Sequence, residues 1–345
     1  MNPSNSKSIL IPLVVAVVVV YLHITTIWIL DMAFDEAALR PIIGLLGMVS
    51  LGLAFTIKRK ISKYCAALGW IFVGIYFGLS CPYYIKIMDP TLILMTGLAP
   101  ILGLYLASYE LKVKYNQDHV EIVPEHMKWL RGMIFFAGTP YLLVAQIPHL
   151  NRLAIIFAAW QVVLFMKWTG SGDVKLGDFI VNTSEQPGNE VLWDSWNGNK
   201  WWLFEQLPEN GMFVELVNSD GSSIGINFVL ACTALQSIII FVGAILAVNT
   251  KLKSKIRALM IVIPLIHALN LFRNAGLIWM HSNYPNWEWF GISIFDFGHS
   301  YASKVLSLFA MFLMALVIFE ILPKLHSNVL GVIDPFLKII SPKKI

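Results

Sequence analysis

The 345-residue chain is 57% apolar and 13% charged, with a net charge of +4 spread over short loops and three cysteines. This composition excludes a soluble globular fold and points to a polytopic helical membrane protein. No repeat, low-complexity tract or basic domain is present, which argues against a nucleic-acid partner, and Cys65, Cys81 and Cys232 cannot all pair, so at least one thiol is free.

Apolar runs predict spans at residues 9–30, 42–57, 65–85, 91–108, 131–148, 150–168, 226–249, 258–280 and 299–322. The first follows Lys7, is longer than a signal-peptide core and lacks a small-residue cleavage site, so it reads as a retained anchor. Basic clusters at Lys58, Arg59, Lys60 and Lys63, at Lys251, Lys253, Lys255 and Arg257, and at Lys324, Lys338, Lys343 and Lys344 are expected on the cytoplasmic side. The loop with Asp31, Asp35 and Glu36 and the insert 169–225 then face outward. For the chain to be outside at residue 169, one earlier segment must not cross. Segment 150–168, which follows Pro148 directly and carries Arg152 and Lys167, is expected to lie in the outer interface or to re-enter. The expected fold is therefore a polytopic all-α membrane protein of about eight transmembrane helices plus one interfacial or re-entrant segment, with a small strand-containing extracytoplasmic insert.

The insert holds nine acidic residues against Lys175 and Lys200. Short β-type runs at Asp178–Val181 and Met212–Val217 alternate with turn signals at Gln186-Pro187-Gly188, Asn197-Gly198, Glu209-Asn210-Gly211 and Ser219-Asp220-Gly221. Trp193, Trp196, Trp201 and Trp202 suggest a surface that rests on lipid headgroups, or a groove for an extended peptide. Asn182-Thr183-Ser184 is a glycosylation sequon, a triplet that also arises often by chance.

Polar groups recur near one end of the last three spans. With a span beginning at Ile226, Cys232 lies six residues in, about 9 Å deep at 1.5 Å per residue. Arg273 falls at a similar depth on the next span and His299 opens the last. Gln236 follows Cys232 by one helical turn, and His267, Asn270, Arg273 and Asn274 form a stripe that must face protein or water. A thiol, a guanidinium and an imidazole at one level suit a cysteine nucleophile with its helpers. A lone membrane cysteine is more often an apolar filler, the role expected for Cys65 and Cys81, and an arginine or histidine near a helix end can simply reach the headgroups.

The runs Ala231-Cys232-Thr233-Ala234-Leu235-Gln236-Ser237 and Leu269-Asn270-Leu271-Phe272-Arg273-Asn274, followed by His299, resemble the exosortase/archaeosortase family of membrane transpeptidases. Arg131 before an apolar run ending at Ile147-Pro148 extends the likeness, which covers roughly residues 125–322. Two positions depart from the family pattern: Ala234 stands where Gly is frequent, and Ser303 where many bacterial members have Gly. These departures favour the archaeal branch. The implied domains are N-terminal helices at 1–124, a catalytic membrane core at 125–168 and 226–322, the insert at 169–225 and a cytoplasmic tail at 323–345.

The resemblance implies that Cys232 is the nucleophile, that Arg273 is essential and that His299 completes the site, with Gln236, Asn270 and Asn274 as supporting or substrate-binding residues. It implies cleavage of surface proteins that end in a motif, a transmembrane helix and a basic tail, through a thioester, with transfer to an envelope acceptor such as a lipid. The site would face outward from a multi-pass cell-membrane protein, and neither cofactor nor metal is implied. Two other classes fit parts of the pattern: a transporter or channel with Arg273 and His299 lining a polar path, and a noncatalytic assembly factor whose acidic cap binds partners.

Overall fold

The computed structural model describes residues 36–340 apart from 87, 116–120, 185–187, 205–206, 209 and 290. The expected first span, with Lys7, Asp31 and Asp35, lies outside these residues, as do Glu185-Gln186-Pro187, Glu209, Lys343 and Lys344. The chain divides into two compact units, with the boundary between Phe135 and Phe136.

The first unit contains helices α1 (Glu36–Thr56), α2 (Ile61–Gly78), the short α3 (Cys81–Lys86), α4 (Pro90–Leu111) and the first half of α5 (Glu125–Gln146). α2 packs on both α1 and α4. Small residues permit the close approach that drives helix association in lipid: a Cβ on Gly103 would stand 2.6 Å from the Trp70 carbonyl oxygen, and one on Gly69 2.7 Å from Leu51. Asp89 caps α4 by accepting from Thr91 and Leu92 N–H, with Pro90 preset in the first turn. At the centre Arg131 and Glu110, both fully buried, form a two-pronged ion pair. Trp70 Nε1 also donates to Glu110, and Arg131 donates to the Ala54 carbonyl and Ser62 Oγ.

The second unit begins in the second half of α5 and continues with α6 (Pro148–Thr169). A four-stranded antiparallel sheet follows: β1 (Val174–Asn182), β2 (Glu190–Leu192), β3 (Met212–Asn218) and β4 (Ser223–Val229), in the order β2-β1-β3-β4. After a 3-10 turn (Leu230–Thr233) come α7 (Leu235–Ala247), α8 (Leu252–Asn283), a single turn Ile294–Phe297, a π-helical turn Gly298–Ala302, α9 (Ser303–Ile321) and α10 (Pro323–Ile340). The runs expected as strands fall within β1 and β3, and Ser219-Asp220-Gly221 turns the β3–β4 hairpin. There Asp220 accepts from Ser222 N–H and Gly221 adopts φ +87°.

The sheet's apolar face, with Val181, Val214, Leu216 and Phe228, packs on Ile155, Ala159 and Val162 of α6 and on Ala275 and Ile278 of α8. On the other side of α6, Leu153, Phe157, Trp160, Leu164 and Trp168 form an exposed apolar stripe. Trp193 and Trp196, expected at a lipid surface or peptide groove, are instead core residues at 4% and 5% exposure, whereas Trp201 is 74% exposed. Trp193 is held among Phe179, Trp196 and His149, with Arg152 and Lys200 each 5.1 Å from its ring.

Among the described residues six helices are long and apolar enough to cross a membrane: Leu39–Thr56, Ile61–Lys86, Pro90–Leu111, Pro148–Thr169, Leu252–Asn283 and Ser303–Ile321. The chain is thus a mostly helical, multi-pass membrane protein with a small sheet. Two expected spans are not among the six. Segment 131–148 lies in α5, which starts earlier and carries His126, Lys128 and Arg131. Segment 226–249 is corrected outright: Ile226 and Phe228 pair with Leu216 and Val214 in the sheet, and only the 13 residues of α7 are helical. β-Branched and aromatic residues give the same hydropathy in a strand as in a span, so the run could not be divided by apolarity alone.

Candidate active site

Cys232 accordingly sits in the 3-10 turn between β4 and α7 rather than inside a span. Ala234, two residues on, ends that turn in the left-handed region at φ +58° and ψ +9°, which lets the chain reverse from strand into helix. This is the position at which the resembling family often has Gly, and Gly takes such a conformation without the Cβ clash.

α8 fastens the turn. Asn270 Nδ2 and Asn274 Nδ2, one helical turn apart, both donate to the Cys232 carbonyl oxygen at 2.8 Å. Asn274 Oδ1 in turn accepts from Arg273 Nη1 at 3.1 Å, and Arg273 Nη2 meets His299 Nδ1 at 3.5 Å. His299 stacks on Phe295 with rings 5.7 Å apart and nearly parallel, and Phe295 meets His281 edge-on at 5.2 Å. His281 bonds the Ile224 carbonyl of β4, so the segment that carries His299 is tied through aromatic contacts to the sheet that carries Cys232.

Cys232 and His299 both lie outside the spanning helices. Burial pushes the Cys232 thiol up, while a hydrogen bond from the Val229 backbone and the Arg273 charge pull it back. Burial, then the Arg273 and Lys304 charges, hold His299 below the ordinary histidine value against the opposing pull of Asp296. Both shifts favour the uncharged forms, a thiol and a neutral imidazole, with Arg273 acting on each.

Cys232, Arg273, His299, Asn270 and Asn274 thus converge. Gln236 does not join them: its amide donates to Tyr141 Oη of α5 at 3.0 Å, because Cys232 precedes α7 and the two do not share a helical face. A cavity of about 460 Å³ opens beside the turn, lined by Ala234, Ser237, Asn270, Arg273, Ser303 and Lys304 together with apolar residues of α8 and α9. Ser237, Lys304 and Phe295 were not singled out from the sequence. Lys304 lies near a span end, where the spacing of Cys232, Arg273 and His299 offered a level to search; Ser237 falls in the middle of the expected span 226–249 and the aromatic bridge of Phe295 has no local signal. All three cysteines are free, with Cys81 buried.

No family model matches the chain, and no solved structure matches it. Over 48 residues it is 54% identical to archaeosortase A of Haloferax volcanii, a stretch that covers 14% of this chain and 16% of that protein. The likeness is local, spans about one sixth of that relative's length and supports an archaeosortase-like relationship.

Proposed function

We propose that the chain is a membrane-embedded cysteine transpeptidase that cleaves the C-terminal sorting signal of surface proteins and transfers them to an envelope acceptor. The observation that supports this reading is that Arg273 stands between the other two groups: its charge acts on the Cys232 thiol and its guanidinium meets the His299 imidazole at 3.5 Å. The local likeness to archaeosortase A points the same way.

In the first step His299 takes the thiol proton as sulfur attacks a backbone carbonyl carbon of the substrate. Arg273 stabilises the tetrahedral oxyanion. When the intermediate collapses, the C–N bond breaks, the proton passes to the departing amine, and a thioester remains on Cys232. In the second step an amine of the acceptor attacks the thioester carbonyl; a C–N bond forms, the C–S bond breaks and the thiol regains its proton. A substrate's transmembrane helix would lie in the cavity between α8 and α9, its outer end beside Cys232.

The level of the site fits this chemistry. Counting about 20 residues, or 30 Å, along α8 from the basic cluster ending at Arg257 reaches the turn after Arg273, near the outer boundary of the hydrocarbon core. Around that point Ala275 and Ile278 pack on the sheet, whose edges demand water rather than lipid. The same demand favours α6 in the outer interface, its Ile155–Val162 face under the sheet and its Trp160–Trp168 face on lipid.

The test is co-expression with a surface protein that ends in a motif, an apolar helix and a basic tail, comparing wild type with Cys232→Ala by intact mass. Loss of the C-terminal fragment and gain of an acceptor mass are expected with wild type alone. Equal masses from both, with several such substrates, would overturn the reading in favour of a transport path through the cavity.

A further inference from the structure

The turn Ile294–Phe297 is a stiff platform. Ser293 Oγ accepts from the Asp296 N–H at 3.1 Å and donates to the Asp296 carboxylate at 2.7 Å, and the buried Ile294 donates its N–H to the Trp287 carbonyl. Phe295, on this turn, packs against the apolar core that joins α6, α8 and the sheet. Its ring lies between two imidazoles: His281 meets it edge-on at 5.2 Å, and His299 lies 5.7 Å away within 5° of parallel. Parallel rings this far apart are laterally offset, an arrangement that aromatic pairs favour. His281 is itself anchored. Its Nε2 meets the Ile224 carbonyl at 3.0 Å, and a carbonyl only accepts, so that nitrogen carries the proton. His299 has a looser hold of its own. It is exposed, and its contact with Arg273 Nη2 is 3.5 Å long, at the limit of a hydrogen bond. The outer torsion of a histidine is broad, so one long contact at Nδ1 does not define the ring plane.

We propose that Phe295 is a positioning residue for His299: its ring fixes the plane of the imidazole that serves Cys232, and its contact with His281 registers that plane to β4, the strand that leads into the Cys232 turn. This rests on the transpeptidase reading, in which His299 takes the thiol proton. The Phe295 ring also covers one face of the imidazole. The charged groups that act on His299 are Arg273 on α8, Lys304 on α9 and Asp296 on the turn itself. Phe295→Leu leaves all three in place and opens the imidazole to water. The burial that holds His299 below the ordinary histidine value then weakens, and its titration moves to higher pH.

The test uses the full chain in detergent, with Cys65 and Cys81 replaced by Ala and with isotope-labelled histidine. The His299 ring signal is identified by its loss in His299→Asn. Phe295→Leu is expected to remove the ring-current shift of that signal and raise its titration midpoint, while Phe295→Tyr keeps both. Phe295→Met, which fills the space without a ring, is carried in parallel in case Leu disturbs folding. Single-turnover thioester formation on the surface-protein substrate at neutral pH is expected to fall about five-fold in Phe295→Leu, the worth of one aromatic pair, and to recover in Phe295→Tyr. Alkylation of Cys232 by iodoacetamide at about pH 10, where the thiol ionises without a base, is expected to stay the same. An unshifted His299 signal in both ringless variants would overturn the proposal, as would an unchanged rate or a rate that Phe295→Tyr does not restore. An equal loss of alkylation would overturn it too, because the ring would then only prop the turn. A wild type that forms no thioester while its His299 signal depends on Phe295 would refute the transpeptidase reading and leave the positioning of the imidazole standing.

Discussion

Asn274 joins Arg273 to the Cys232 backbone through a single amide, donating to the Cys232 carbonyl at 2.8 Å and accepting from the guanidinium at 3.1 Å. A carbonyl oxygen has two lone pairs, and Asn270 fills the other. Asn274→Ala frees both the turn and the guanidinium and is expected to slow thioester formation about 100-fold, the scale of an ångström of misplacement. Asn270→Ala leaves one donor in place, so its loss should be nearer ten-fold. Single-turnover cleavage of a substrate peptide distinguishes them; equal losses would mean that the bridge to Arg273 carries nothing.

Ala234 holds a left-handed backbone at φ +58°, a conformation that disfavours any residue with a Cβ by about 1–2 kcal/mol. Ala234→Gly removes that strain but adds freedom to the unfolded chain, which offsets about 0.5–1 kcal/mol of it. The net expectation is a rise in thermal midpoint in detergent, with Cys232 still in place. Ala234→Val should lower the midpoint because a branched side chain tolerates the conformation least. A midpoint for Ala234→Gly below wild type would show that the turn relaxes once its Cβ is gone.

The two titrating groups set the pH response. His299 sits below the ordinary histidine value, so it is already neutral at pH 7, and the acid limb of kcat/KM is expected below about 6.5. Burial holds the Cys232 thiol up, so its alkylation by iodoacetamide should be slow at neutral pH and rise on the alkaline side of about 8.5. Arg273 favours the thiolate and disfavours the imidazolium. Arg273→Gln should therefore move both transitions to higher pH, and Arg273→Lys should restore them. The measurement is the alkylation rate against pH in a chain with Cys65 and Cys81 replaced by Ala; a thiol already reactive at pH 6 would contradict the assignment.

Trp193 offers a separate check on the cap. It is 4% exposed among two cations and three rings, so Trp193→Ala is expected to destabilise the second unit by about 3–5 kcal/mol through cavity formation. Trp201, 74% exposed, should tolerate Ala with little change in stability. Limited proteolysis of the insert would read both, and protection surviving in Trp193→Ala would mean that the sheet does not depend on that core.

The membrane class, most helix positions and the two main strands were legible in the sequence because hydropathy and the alternation of apolar residues mark them directly. So was the company of Cys232, Arg273, His299, Asn270 and Asn274, since lipid penalises polar groups that lack a shared purpose. What misled was the run after Gly225, where Ile226, Phe228 and Val229 read equally well as membrane helix and as sheet, and only pairing with β3 decides. That error carried Gln236 into the site, because a helical face was assigned to residues that a left-handed Ala234 separates. Trp193 was misplaced for the reason that tryptophan count does not reveal which rings a sheet will cover.

The buried Glu110–Arg131 pair supplies the last prediction. Each partner is fully shielded from solvent, and the pair meets further donors and acceptors from α1 and α2. A charge left alone in such a place is far costlier than the intact pair is stabilising. Glu110→Gln or Arg131→Met alone should therefore lower stability by about 3–5 kcal/mol, while Glu110→Leu with Arg131→Met should recover most of the loss. Thermal unfolding of the three variants in the same detergent gives the comparison. A double variant as unstable as the worse single one would show that the network is needed for its hydrogen bonds to Trp70, Ala54 and Ser62 rather than merely balanced in charge.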